Sequence, residues 1–61
     1  MKKPIAPTIY RMEVGDVEAW PIDRYDSVRI STSRANIVKR AEGRKYSLRV
    51  KDLTVEVVRT A

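Results

Sequence analysis

Hydrophobic and polar residues alternate from Thr8 to Val14, with Tyr10, Met12 and Val14 on one side and Ile9, Arg11 and Glu13 on the other. A period of two predicts a half-buried strand. Gly15-Asp16 interrupts it, and a two-residue loop there would return Val17 to Trp20 as a short second strand, with Val17 beside Val14 and Ala19 beside Met12. Pro21 has no ladder donor, so it ends that strand or sits on an edge. From Asp26 or Ser27, either of which can serve as N-cap with Ile22 or Tyr25 stapling the entry, the period becomes helical and runs to Glu42. Gly43 follows as the residue best suited to the left-handed position past the helix end. Projected down the axis, Ile30, Ala35, Ile37, Val38 and Ala41 share one arc, and Arg29, Thr32, Ser33, Asn36, Lys39 and Arg40 share the other. The first arc is expected to face the core, with Ser31 and Arg34 inside it needing a partner or a route to the surface.

Residues 44–59 read as a hairpin. A two-residue loop at Lys51-Asp52 would pair Val50 with Leu53, Leu48 with Val55 and Tyr46 with Val57 on one face. A slip by one residue would bring Lys45, Ser47 and Arg49 into the core, so parity fixes the faces. On the other face Glu56 would lie across from Ser47 and diagonal to Lys45 and Arg49. Lys-Asp is a poor type I′ pair, which leaves a longer, bulged loop as the alternative. The expected fold is α+β: one helix packed on a small antiparallel sheet, in the order β(β)αββ with a C-terminal hairpin. That single domain occupies residues 8–61, behind a flexible basic arm at 1–7. The arm carries the positive charge of a secretory leader without the apolar stretch behind it, so a cytoplasmic site is expected. Trp20 either caps the core beside Pro21 or lies in a self-association patch.

Composition narrows the chemistry. Sixty-one residues carry 13 Lys plus Arg against 8 Asp plus Glu, with no His and no Cys. A chain this short buries only about 60% of the surface its unfolded form exposes, which leaves little room for a deep pocket. Without His and Cys the usual zinc ligands, thiol nucleophiles and near-neutral proton carriers are missing. The local carboxylates Asp16, Glu18, Asp23 and Asp26 fit no cation-loop spacing and are better explained as turn and cap residues. No enzyme activity, cofactor or metal is expected, and 34% charged residues argue against a membrane span.

The charge is uneven. Residues 1–26 hold four basic and five acidic side chains, whereas 27–61 hold nine and three. Within 29–51, eight basic residues are opposed by Glu42 alone, a segment of net charge +7 that attracts polyanions. Arg29, Ser33, Asn36 and Arg40 recur at spacings of four, three and four and so project from one side of the helix. Arg can pair bidentately with guanine, Asn with adenine, and Ser with phosphate or bases, so this is a residue set for a major-groove helix. Lys39, Arg44, Lys45 and Arg49 are placed to grip phosphates beside it. The bland alternatives are an ordinary solvated helix face and strand cations that guard a sheet edge. If five to seven phosphates are neutralised, duplex affinity should fall with salt at a log-log slope of roughly −4 to −6.

The combination Tyr25-x-Ser27-Val28-Arg29, Ser33-Arg34, Gly43-Arg44-Lys45-Tyr46-Ser47-x-Arg49 and Val55-x-Val57-x-Arg59 resembles a group of very short proteins of tailed bacteriophages and related mobile elements, over residues 10–60. The resemblance implies a helix-plus-hairpin fold that binds DNA in a winged-helix-like manner, in the cytoplasm of a bacterial host. The expected function is therefore a small non-enzymatic nucleic-acid-binding protein that takes duplex DNA. A homodimer is expected because so small a core is marginal alone and Val58 faces outward beside an open strand edge. The alternative is a small interaction protein, such as a phage-encoded inhibitor or assembly factor, that docks on an acidic partner protein.

Overall fold

The computed structural model describes residues 4–61. Helix α1 (Ala6–Arg11) leads into strand β1 (Val17–Pro21). A 3-10 turn (Ile22–Arg24) feeds helix α2 (Tyr25–Val38), and a second 3-10 turn (Arg40–Glu42) precedes strands β2 (Tyr46–Lys51) and β3 (Thr54–Arg59). The strands form one antiparallel sheet in the order β1-β3-β2, with the helices on one of its faces. This is the expected α+β class, a helix on a small antiparallel sheet with a C-terminal hairpin.

The first element differs from expectation: the alternation at 8–14 falls on helix α1, which ends at Arg11, and on the turn after it, not on a strand. Pro7 lies in the first turn, where its missing N–H has no intrahelical partner to lose, and Thr8 Oγ1 donates to the Pro4 carbonyl at 2.6 Å. Ile5, Ile9 and Met12 are spaced four and three apart and are all buried, whereas a strand would have buried Val14, which is exposed. Ile5, Ala6 and Pro7 thus belong to the folded body and not to an arm; residues 1–3 of the expected arm lie outside the described residues.

Gly15-Asp16 also acts differently. Asp16 donates its N–H to the Glu13 carbonyl and accepts the Glu13 N–H on Oδ2, both at 2.9 Å, while Gly15 takes φ +92°. The turn converts α1 into β1 instead of closing a hairpin. Val17 pairs with Val58 and Trp20 with Val55, and Pro21 ends β1 on the sheet edge as expected.

In the C-terminal hairpin the loop residues are Asp52-Leu53, one position later than expected. Lys51 pairs with Thr54, Val50 with Val55, Leu48 with Val57, and Tyr46 with Arg59. Every partner therefore shifts by two, which preserves parity and keeps Tyr46, Val55 and Val57 buried. The shift also sets Arg49 directly opposite Glu56. Asp52 supplies the positive φ, +55°, a conformation Asp tolerates at a cost of about 1 kcal/mol relative to Gly. Asp52→Gly relieves that strain but loosens the unfolded chain, so a net rise in Tm of about 2–4 °C is expected by circular dichroism melting. A fall would show that the Asp52 side chain holds the turn.

Helix α2 is rotated relative to expectation. Val28, Thr32 and Ala35 are buried, while Ile30, Ile37 and Val38 are 51%, 74% and 56% exposed and Ala41 lies at the surface. Small residues at 32 and 35 let the helix approach the sheet, where Trp20, Val55 and Val57 complete the core with Ile5, Ile9, Met12 and Tyr46. Thr32 survives burial because its hydroxyl donates to the Val28 carbonyl at 2.8 Å. Neither Asp26 nor Ser27 caps the helix, since the 3-10 turn runs straight into Tyr25. At the other end the chain passes Lys39 and the second 3-10 turn to Gly43, which takes the left-handed conformation expected of it at φ +77°.

Candidate nucleic-acid interface

The side chains expected to contact nucleic acid divide into two sets. Asn36, beside the buried stripe of α2, is turned to the start of β2. Its Nδ2 donates to the Tyr46 carbonyl at 3.1 Å and its Oδ1 accepts the Tyr46 N–H at 2.8 Å. Both faces of the amide are used, so the expected adenine contact is not available to it in this fold. Arg44 donates through Nη1 to the Tyr10 carbonyl at 3.0 Å and to the Tyr46 hydroxyl at 3.5 Å, and its Nε forms an ion pair with Glu42 at 3.0 Å. The bond to the Tyr46 hydroxyl, and then the Glu42 charge, raise its pKa further above the ordinary guanidinium value against an opposing effect of burial. Arg44 is a tie between α1, the second 3-10 turn and β2 before it is a phosphate ligand. Lys39 reaches Glu42 at 3.3 Å and stands 5.3 Å from the centre of the Tyr10 ring. Arg49 Nε meets Glu56 at 2.6 Å across the strand pair.

The other set is Arg29, Ser33, Arg40 and Lys45, all exposed and none hydrogen-bonded or ion-paired through its side chain among the described residues. Arg34 joins them. Expected in the core-facing arc, it lies on the solvent side of α2 with Ile30 and Ile37. The signal for its position was in the chain: no acidic residue occurs between Asp26 and Glu42, and a buried Arg without a carboxylate is strongly unfavourable. The solvent face of α2 therefore presents Arg29 and Arg34 around Ile30, Ser33 and Ile37, and Arg40 follows in the 3-10 turn just past the helix end.

An open cleft of about 450 Å³ lies between the end of α2 and the start of β2, lined by Asn36, Ile37, Arg40, Gly43, Arg44 and Lys45. Arg40 and Lys45 are the cations there that no carboxylate among the described residues engages. Arg49 and Lys51 alternate with the core-facing residues of β2 and so stand on the sheet face turned away from α2. Helix stripe and hairpin cations are thus brought together only at Arg40 and Lys45, and Arg49 is not placed as a wing beside the helix. Among the described residues no group of three or more His, Cys, Asp or Glu side chains could hold a metal ion, and no helix is long and apolar enough to cross a membrane.

Compared with known proteins, the chain matches no family model, no curated protein and no solved structure.

Proposed function

We propose that the protein is a small, non-enzymatic DNA-binding module of phage or mobile-element type that lays the outer face of α2 along the major groove of duplex DNA. The observation that carries this reading is the solvent face of α2 with the 3-10 turn that follows it, where Arg29 and Arg34 on the helix and Arg40 at the start of the turn are exposed and unopposed by any carboxylate from 27 to 41. The major groove admits a helix, and the same face supplies groups that read its edges: Arg for guanine and exposed Ile30 and Ile37 for thymine methyls. Ser33 and Lys45 serve the phosphates. A two-fold dimer would present two such helices to successive grooves.

Engagement of Lys39, Arg44 and Arg49 within the fold lowers the phosphate count from that expected of the whole +7 segment. With about four free cations, fluorescence anisotropy on duplex DNA should give a log-log salt slope of about −3.6. Duplex RNA should bind less tightly, because its major groove is too deep and narrow for a helix. No binding at low salt, or a slope near zero, would remove nucleic acid as the partner; equal affinity for DNA, RNA and heparin would reduce the helix face to an unspecific charge patch.

A further inference from the structure

Both outer strands of the sheet have a free edge, and the two are not equivalent. Tyr46 directs its N–H and C=O away from β3, toward Asn36. Lys45 directs its own toward the end of the chain beyond β3, donating to the Ala61 backbone oxygen and accepting from Thr60. With a period of two, Ser47, Arg49 and Lys51 bond to β3, whereas Leu48 and Val50 turn their N–H and C=O outward. Asn36 closes this edge at Tyr46, and no backbone or side-chain group among the described residues closes it at Leu48 or Val50. On the β1 edge, Pro21 has no N–H to offer and the strand stops there.

We propose that the outer edge of β2 is a docking site for an extended peptide segment of a partner protein, added as a fourth, antiparallel strand with acidic and apolar residues in alternation. The backbone bonds would go to Leu48 and Val50. Charge complementarity selects the side chains. Ser47, Arg49 and Lys51 alternate along one side of β2, and β2 carries no acidic residue. A strand laid beside them therefore favours Asp or Glu on that side. Arg49, already on Glu56, would then lie between two carboxylates, an arrangement the guanidinium fork accommodates. On the helix side the edge offers half-buried Leu48 and exposed Val50, with Leu53 77% exposed in the adjoining loop, and these favour apolar residues opposite them.

Two copies of this chain are poorer occupants of the edge. Reciprocal pairing of Leu48 with Val50 in a second β2 sets Arg49 against Arg49. A second copy's β1 would bring one acidic residue, Glu18, together with the donorless Pro21.

The probe is a synthetic peptide, acetyl-(Glu-Val)3-amide, titrated into the 15N-labelled full chain. The amide signals of Leu48 and Val50 should shift saturably and gain protection from hydrogen exchange. Acetyl-(Lys-Val)3-amide should bind at least tenfold more weakly. Methylating the valine nitrogens of the acidic peptide should weaken it at least tenfold, because in an antiparallel addition the residues opposite Leu48 and Val50 donate to β2; methylating the glutamate nitrogens should change affinity less than threefold. The protein is unaltered in these comparisons, so misfolding cannot mimic the result. Equal binding of the lysine peptide, indifference to valine N-methylation, or no shift at Leu48 and Val50 would overturn the proposal. Concentration-dependent shifts at those amides without peptide would assign the edge to a second copy and overturn it too. The Arg29, Arg34 and Arg40 triple alanine variant should keep peptide binding while losing DNA, so failure of one reading is distinguishable from failure of the other.

Discussion

Replacing Arg29, Arg34 and Arg40 together by Ala is expected to lower duplex DNA affinity by about 10²- to 10³-fold at 0.1 M salt and to leave the fold intact. Every phosphate deprived of its arginine keeps about 0.9 counterions that binding would otherwise release, so three together make the salt slope shallower by about 2.7. Stability should hold because the three side chains are exposed and make no hydrogen bond or ion pair among the described residues. Exposed substitutions of this kind stay within about 0.5 kcal/mol each, and Ala is the better helix former. The measurement pairs anisotropy at several salt concentrations with a thermal melt. Arg34→Ala alone is the discriminating single change. On the solvent face it should reduce affinity as much as Arg29→Ala does with Tm unchanged, whereas an Arg34 packed into the core would lower Tm and leave the slope alone. If the triple variant keeps wild-type affinity, the outer face of α2 is not the DNA surface.

The parts of this fold that could be read from the chain are those set by parity and local backbone chemistry. Tyr46, Leu48, Val55 and Val57 share a face under either hairpin register, because a shift of two changes partners without changing sides. Gly43 and Pro21 act through their own backbone restrictions and stand where those restrictions place them. What could not be read depends on competition between elements. Ile5, Ile9 and Met12 make a helical stripe that overlaps the alternation of Tyr10, Met12 and Val14, and only packing against the rest of the core decides between them. Helix α2 has apolar residues on two sides. Its larger ones, Ile30 and Ile37, lost the core to Val28, Thr32 and Ala35, whose smaller volumes allow a close approach to the sheet.

The candidate site divides in the same way. That cations crowd residues 29–51 is written in the sequence, but which of them are free depends on distant partners. Arg44 is engaged by Tyr10, 34 positions earlier, and Arg49 by a Glu56 that a two-residue change of register moved directly opposite it. Asn36 shows this most clearly, because helical spacing alone cannot distinguish an amide that reads a base from one that holds a strand.

Asn36→Ala separates those roles. In this fold the amide answers the Tyr46 N–H and C=O at the start of an edge strand, at 2.8 and 3.1 Å, in a partly buried setting. Removing it leaves a donor and an acceptor that water reaches poorly, and an unanswered buried polar group costs about 1–3 kcal/mol. Against a total stability of about 3–9 kcal/mol for a domain of this length, a decrease near 2 kcal/mol is large. Tm should fall by about 8–16 °C, and the amide of Tyr46 should exchange faster than that of Val57 in the central strand. DNA binding should follow the opposite pattern. At a temperature where the variant is still folded, its salt slope should match the wild type, since no charge is removed, and any weakening should be the same on every duplex sequence. A base-reading Asn36 predicts the reverse: unchanged Tm, and about 1–3 kcal/mol less binding on one preferred site only. That second outcome would mean that the amide leaves Tyr46 for the groove when DNA arrives, and that Asn36 rather than Arg34 belongs to the reading face of α2.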